Sequence, residues 1–185
     1  MLELGAGIAG IVPVMLAPLV NRYIATDQAY ALKLLQENVT ANRIPLVGSR
    51  AQKTPRRVKV EPASNIHVAG LDWETDDVAS FLGSHSIGEG VDLVVACDCV
   101  YNYALIEPFV QCCADICKVR REQDVAEQTI VLVAQQLRQP DVFEEWMEAF
   151  HKKFRSWRVP DEHLKNELGE GSGFVVHLGI LREDA

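Results

Sequence analysis

Three glycines near the N-terminus have the spacing of a turn that a cofactor can approach closely. Gly5, Gly7 and Gly10 follow the short strand-like stretch Met1–Leu4 and precede a longer apolar run. Glycine has no Cβ, so it adopts left-handed backbone conformations and lets a ligand lie against the main chain. Asp27 comes 20 positions after Gly7, where a carboxylate can accept hydrogen bonds from both hydroxyls of a ribose. Together these features predict an adenosine-containing ligand.

The glycine spacing alone fits either a nicotinamide dinucleotide or S-adenosylmethionine. Glu3 precedes the turn, and its carboxylate would repel a pyrophosphate but suits an ammonium group such as that of S-adenosylmethionine. Asp72 can accept a hydrogen bond from an adenine amino group, and Trp73 can cover the adenine ring. These residues favour S-adenosylmethionine. An NAD-dependent oxidoreductase stays open as an alternative, although the sequence offers no clear hydride-transfer residue.

A further group of candidate residues follows a nearly continuous apolar run. The stretch from Val94 to Tyr101 delivers Asp98 and Tyr101 directly after a predicted strand. Because the carboxyl ends of parallel strands meet at one edge of a sheet, we expect both side chains at the rim of the same pocket. Two structural alternatives accompany this interpretation, namely that Trp73 is a core residue and that Asp98 caps a helix.

Strands and helices alternate along the chain, which predicts an α/β sheet covered on both faces. The predicted strands are Met1–Leu4, Tyr23–Thr26, Asn65–Leu71, Val91–Cys97, Thr129–Ala134, Trp157–Val159 and Phe174–Leu181, of which the last two are antiparallel. The predicted helices are a buried helix over Ile8–Val20, then Ala29–Val39, a turn at Val78–Leu82, Ala104–Val119 and Asp141–Phe154. Arg43–Ser64 is predicted to be a surface loop insertion and Asp161–Gly173 a mobile connection.

Composition bounds the class of protein. The chain has 185 residues, which predicts a single domain over residues 1–185. Its 18 Lys and Arg against 26 Asp and Glu give a net charge of −8, which disfavours nucleic-acid or anionic-membrane binding. Five cysteines favour free thiols inside the cell, and neither they nor the five histidines have zinc-site spacing, so we expect no metal. The N-terminal apolar run lacks a basic flank and is broken by glycine and proline, unlike a signal peptide or a membrane span.

The motifs resemble those of the seven-β-strand lysine methyltransferases. The matching stretches are Met1 to Val14, Thr26 to Gln28, Leu71 to Glu74, and Asp98 to Asn102. The resemblance implies a Rossmann-like class I methyltransferase fold, with a mostly parallel seven-stranded sheet, helices on both faces and a C-terminal antiparallel hairpin. It also implies S-adenosylmethionine as the methyl donor. By position, the cofactor-binding residues would be Gly5, Ala6 and Gly7 in the turn, Asp27 at the ribose, Trp73 beside the adenine, and Cys97.

The same resemblance implies an activity and a partner. Asp98 and Tyr101 match the family's Asp-x-x-Tyr motif, which lies where the target lysine enters. Fungal members act on ribosomal proteins, so the implied partner is a ribosomal protein and the implied location is the cytoplasm. Family members also carry a segment with a tryptophan before the glycine turn, so we expect this chain to be N-terminally truncated. A truncated fold that survives only as a binding module is the non-enzyme alternative.

Overall fold

The computed structural model describes residues 1–42, 65–122, 127–164, 168–169 and 171–185. Within these ranges the strands are β1 (Leu2–Leu4), β2 (Tyr23–Asp27), β3 (Ile66–Gly70), β4 (Leu93–Cys97), β5 (Ile130–Gln136), β6 (Phe154–Arg158) and β7 (Phe174–Leu181). The α-helices are α1 (Ile11–Leu16), α2 (Ala29–Ala41), α3 (Val78–Ser84), α4 (Tyr103–Glu122) and α5 (Pro140–Lys153).

The strands form one sheet in the order β3-β2-β1-β4-β5-β7-β6. The neighbours from β3 to β5 all pair in parallel, and β7 pairs antiparallel with both β5 and β6. The strand order reverses at β1, which lies between β2 and β4, and such a reversal is where open α/β sheets bind ligands. The predicted architecture, a mostly parallel seven-stranded sheet with antiparallel strands at the C-terminal end, is confirmed.

Helices pack on both faces of the sheet because strand side chains alternate between the faces. Ile24 of β2 joins the larger core, which α3, α4 and α5 cover. Its neighbours Tyr23 and Ala25 join the smaller core beneath α1 and α2. A central strand is therefore buried on both faces, which explains why its sequence is a nearly continuous apolar run.

The prediction of one buried helix over Ile8–Val20 is wrong in length and in burial. Gly10 has a φ of 65°, so regular helix begins only at Ile11. Pro18 has no N–H to donate within the helix, and the chain continues as a 3₁₀ turn over Ala17–Leu19. Only Pro13, Val14 and Ala17 of these two helical pieces are buried, since the apolar outer face is open to solvent.

The C-terminal elements differ from prediction in their bounds. We expected a helix through Phe154 and a strand beginning at Trp157, but β6 starts at Phe154 with no intervening loop. Phe154 is fully buried, stacks on Phe150 with 4.4 Å between ring centroids, and pairs with Leu181. This packing turns the chain from helix to strand at one residue.

Two other predictions changed or fall outside the described residues. The turn expected at Val78–Leu82 is a seven-residue helix, because the Asp77 carboxylate accepts a 2.8 Å hydrogen bond from the Ser80 N–H and caps it. The predicted insertion at Arg43–Ser64 lies outside the described residues. So does part of the predicted connection Asp161–Gly173, whose described portion includes a 3₁₀ turn at Asp161–His163.

A close contact between β7 and α5 predicts an overpacking effect. A Cβ on Gly179 would lie 2.4 Å from the ring of Phe150, which is itself stacked on Trp146 and Phe154. We therefore expect Gly179→Ala to lower the free energy of unfolding by about 1–3 kcal/mol in urea titrations. Gly83→Ala is the matched control, because its Cβ would meet open space. Equal stability of both variants would contradict this packing.

Candidate active site at the carboxyl edge of the sheet

The glycine turn after β1 is shaped by a close neighbour. Gly5 has a φ of 69°, and a Cβ there would lie 2.7 Å from the Cβ of Cys99 and 3.3 Å from the Trp73 ring. Gly7 has a φ of 64° with open space where its Cβ would be. Position 5 requires both a positive φ and the absence of a Cβ, which only glycine provides. At position 7 the backbone faces free volume. The turn therefore presents bare main chain to the sheet edge, as a cofactor cradle requires.

Asp27 holds this turn against the end of β2. Its carboxylate accepts a 2.7 Å hydrogen bond from the Gly7 N–H and a 2.8 Å bond from the Gln28 N–H. The Ala6 N–H donates to the Thr26 carbonyl at 2.9 Å. Each carboxylate oxygen has two lone pairs, so two acceptor sites stay open for hydroxyl groups. Asp27, which is predicted to bind a ribose, thus holds the glycine turn in place through the Gly7 N–H.

A cavity of about 480 Å³ opens above these elements. Its volume falls within the range of roughly 300–1,000 Å³ that small-molecule sites occupy. It is lined by nine of the ten predicted site residues, namely Gly5, Ala6, Gly7, Asp27, Asp72, Trp73, Cys97, Asp98 and Tyr101. The ends of four neighbouring strands, β1 to β4, are therefore brought together at one site.

Trp73 and Asp72 form the wall that follows β3. The Trp73 ring packs edge-on against Phe109 of α4 with 5.3 Å between centroids, and its Nε1 is buried without a hydrogen-bond partner. Asp72 accepts a 3.0 Å bond from the Glu74 N–H and donates its own N–H to Asp76. Trp73 is therefore anchored in the core at one edge while its ring also lines the cavity.

The cysteines at this edge are unreactive thiols rather than nucleophiles. Burial raises the pKa of Cys97 to about 11, and the nearby Glu3 carboxylate adds to the shift. Burial also raises the pKa of Cys99. Both side chains are therefore neutral at physiological pH. Cys97 contributes shape to the cavity wall, and Cys99 enforces the glycine at position 5.

Asp98 and Tyr101 stand where the first cavity meets a second one. Asp98 has a φ of 53°, a left-handed conformation that aspartate tolerates better than most residues. The second cavity has a volume of about 460 Å³, and Asp98 and Tyr101 line both cavities. It lies between the ends of β4 and β5 and the start of α5, and its other lining residues are Val100, Gln135, Gln136, Arg138, Gln139, Val142 and Phe143. Asp98 does not cap a helix, so that alternative is wrong.

The carboxylate of Asp98 is paired with the guanidinium of Arg138 through Oδ2 and Nη2. Arg138 follows β5, whose end lies beside the end of β4 because Cys97 pairs with Ala134. Arg138 and the second cavity were not among the features predicted from the sequence. The signal was present, since Gln135, Gln136 and Arg138 come after the predicted strand Thr129–Ala134.

Glu3 lies apart from the other predicted residues. It is 1% exposed, and its carboxylate accepts a 2.9 Å hydrogen bond from the Tyr23 hydroxyl beneath α1 and α2. Burial raises the pKa of Glu3 to about 7, against the opposing effect of the Tyr23 bond. The contact of Glu3 with an ammonium group stays a prediction, and its observed partner is Tyr23.

Two further observations concern metals and membranes. Among the residues that the structure describes, no three His, Cys, Asp or Glu side chains group closely enough to hold a metal ion. In the same part of the chain, no helix combines the length and apolar character that crossing a bilayer would need. All five cysteines are free.

The buried Glu3 predicts a pH-dependent stability. Its pKa in the folded chain lies above the ordinary value of 4.5, so ionisation costs more in the folded state. The contribution of Glu3 to the free energy of unfolding must therefore fall as pH rises from about 4.5 to about 7, by about 3 kcal/mol for this shift. Between pH 4 and 8 the wild type should lose about 3 kcal/mol more unfolding free energy than Glu3→Gln does, as measured by denaturant titration.

The matched control for this experiment is Glu37→Gln, the same change at an exposed position of α2. It should retain the wild-type pH dependence. If Glu3→Gln also retains it, the buried carboxylate is not the group responsible.

Comparison with known sequences identifies relatives along most of the chain. The family model described as lysine methyltransferase matches residues 1–153. Ribosomal lysine N-methyltransferase 5 of Candida glabrata is 30% identical over 175 residues, a match that covers 83% of this chain and 49% of that protein. The protein of the same name from Saccharomyces cerevisiae strain YJM789 is 34% identical over 137 residues, covering 60% and 37%. The chain thus spans half or less of the length of these relatives.

Solved structures agree on the fold. A methyltransferase from Pyrococcus furiosus superimposes with a TM-score of 0.57 at 12% identity, covering 97% of this chain and 73% of that one. The METTL16 methyltransferase domain gives a TM-score of 0.58 at 13% identity, covering 97% and 58%. At such identities the likeness concerns the fold alone. The family match to residues 1–153 shows in addition that the chain belongs to the lysine methyltransferase family.

Proposed function

We propose that the chain carries the catalytic site of an S-adenosylmethionine-dependent protein-lysine N-methyltransferase, and that its substrate is a ribosomal protein. The observation that carries this proposal is the junction of two cavities at Asp98 and Tyr101. One cavity has the features of an adenosine-cofactor site, and the other opens beside it to solvent. A bisubstrate transfer needs such an arrangement, because donor and acceptor must meet at one point.

The residues of the first cavity fit S-adenosylmethionine. The open space at Gly7 lets a ligand contact the main chain, and Asp27 has acceptor sites free for two ribose hydroxyls. Trp73 offers an aromatic surface for the adenine, and Asp72 lies beside it as an acceptor for the amino group. Bound there, S-adenosylmethionine would supply an electrophilic methyl group.

The residues at the junction suit an incoming lysine. Asp98 offers a carboxylate that attracts an ammonium group, and the exposed Tyr101 provides an aromatic wall for the aliphatic stem. Burial keeps the Cys97 thiol neutral and therefore not activated as a nucleophile, which favours direct transfer to the amine over a covalent intermediate on this cysteine. Positioning of this kind can supply roughly 7–11 kcal/mol of a barrier.

The identity of the substrate is argued from relatives and charge. The two curated relatives are named ribosomal lysine N-methyltransferases. The net charge of −8 suits a basic protein partner. A ribosomal substrate also agrees with the cytoplasmic location that five free cysteines favour. No finding favours the oxidoreductase or the inactive binding module.

Cofactor binding is tested by calorimetric titration of the chain with S-adenosylmethionine, S-adenosylhomocysteine and NAD. We expect the first two to bind with micromolar affinity and NAD not to bind. Asp27→Asn should weaken both affinities about 10- to 100-fold, because a charge-assisted acceptor for the ribose is lost. Asp184→Asn, at an exposed C-terminal position, should bind like the wild type. Selective NAD binding would replace this proposal with the oxidoreductase.

Methyl transfer is tested with total ribosomal protein extracted from fungal ribosomes and radiolabelled S-adenosylmethionine. We expect label on lysine side chains, located by mass spectrometry. Asp98→Ala should lower kcat/KM about 100-fold, because the amine loses its guide, while cofactor affinity stays unchanged. Wild-type activity in Asp98→Ala would refute the role of this carboxylate, and labelling of another residue type would refute the proposed reaction.

A further inference from the structure

The carboxylate at the cavity junction already has a cationic partner. Asp98 contacts Arg138, and the two side chains are 41% and 55% exposed. An incoming lysine ammonium would therefore meet a positive charge beside the carboxylate that attracts it. The Arg138 guanidinium therefore affects how strongly Asp98 binds a lysine ammonium.

The backbone holds both members of this pair in place. The Asp98 N–H donates to the Ala134 carbonyl at 2.7 Å, and its Oδ1 accepts a 3.4 Å bond from the Gln136 N–H. The Arg138 N–H donates to the Gln136 carbonyl at 2.9 Å. The Leu137 N–H donates at 2.7 Å to Gly173, just before β7. Because these bonds fix the backbone of the turn after β5, the half-exposed Arg138 side chain is held within reach of Asp98.

The positive charge of Arg138 matters because methyl transfer requires a lysine amine in its neutral form. A lysine arrives mainly as an ammonium, and it must first give one proton to water. The nitrogen lone pair then forms the N–C bond while the C–S bond breaks and its electron pair stays on sulfur, so the positive charge passes to the methylated amine. A lone carboxylate would attract the ammonium but also stabilise it in the unreactive protonated form.

We infer that Arg138 is a positioning residue that offsets the charge of Asp98, so that the bound lysine amine is held in its neutral, reactive form. The inference rests on the proposed function, since it requires an amine at the junction. A fixed cation beside an amine disfavours the charged form of that amine. Asp98 thereby guides the lysine without stabilising its protonated form. Arg138 weakens binding of the ammonium and raises the fraction of bound lysine that is neutral and reactive.

The other titratable groups around the junction are present in the wild type and in every position-138 variant. Those that line the two cavities are Asp27, Tyr30, Asp72, Glu74, Cys97, Cys99 and Tyr101. Beneath them lies Glu3, whose pKa is about 7. Glu3 therefore also titrates within a pH series that extends through neutrality. Its contribution is common to the wild type and to position-138 variants, so a difference between them reports on Arg138.

The test compares Arg138→Gln, which removes the charge, with Arg138→Lys, which keeps it. The first readout is the amine pKa of Nα-acetyl-lysine methylamide, labelled with ¹³C at Cε and bound to the chain with S-adenosylhomocysteine present, followed by NMR against pH. We expect Arg138→Gln to raise this bound pKa by about one unit, a tenfold change in the neutral fraction. Arg138→Lys should give the wild-type value.

The second readout is methyl transfer to total ribosomal protein as a function of pH. In Arg138→Gln the rising limb of kcat should move about one unit to higher pH, while the apparent KM falls because the ammonium binds the unpaired carboxylate more tightly. Loss of a merely structural contact would not lower KM while lowering kcat at neutral pH. Since both side chains are half-exposed, the variants should fold normally, and S-adenosylhomocysteine affinity serves as the check.

Each outcome decides a separate claim. If the bound amine pKa is the same in Arg138→Gln as in the wild type, or if the probe does not bind, the role of Arg138 is wrong. If Arg138→Lys behaves like Arg138→Gln, charge is not the relevant property and the inference fails. If the probe titrates as expected but no ribosomal protein is methylated, the inference holds and the ribosomal substrate is wrong.

Discussion

The parallel pairing of β1 on both of its edges is the constraint on which the site depends. β1 has only three residues, and Leu4 pairs with Thr26 on one side and Ala96 on the other. This register places the first residue of the glycine turn between the ends of β2 and β4, at Asp27 and Cys97. A slip of one residue would move every side chain of β1 to the opposite face of the sheet. The buried Leu2 and Leu4 in the larger core oppose such a slip.

Close packing then determines which residue types the edge tolerates. Cys99 leaves no room for a side chain at Gly5, and Trp73 reaches from the Phe109 ring to the cavity wall. The same contacts that exclude a Cβ at Gly5 keep the main chain of the turn accessible. Asp27 completes the arrangement by holding the Gly7 N–H. The glycine turn and the core are therefore built from shared residues, and a change in one disturbs the other.

Electrostatics divides the acidic residues of the site into distinct roles. Glu3 is buried against Tyr23 with a raised pKa, Asp27 is bound to backbone N–H groups, and Asp98 is paired with a guanidinium. These three carboxylates thus differ in environment, and environment rather than residue type sets what each can do. The proposed reaction uses this difference, because one carboxylate binds the donor and another meets the acceptor.

The local sequence determined the elements and most of the first cavity. Apolar runs located the strands, and β7 has the predicted bounds Phe174–Leu181. Glycine spacing and the residues after β1 to β4 indicated most of the nine predicted lining residues, because parallel strands deliver their carboxyl ends to one edge. The family resemblance indicated Ala6 and Cys97. Prediction failed where local pattern was silent about packing, as for the exposed outer face of α1 and the strand that begins at Phe154.

Only the tertiary structure decided the contacts between residues far apart in the chain. Asp98 and Arg138 are 40 positions apart, and Tyr23 reaches Glu3 across 20. No periodicity within one segment encodes such pairs, because they depend on strand order and register. The second cavity likewise forms only when β5 lies next to β4 and α5 packs beside it. The sequence by itself thus determined which residue types lie at the sheet edge. Folding decided which charges face each other, because electrostatic interaction depends on distances that the chain acquires only on folding.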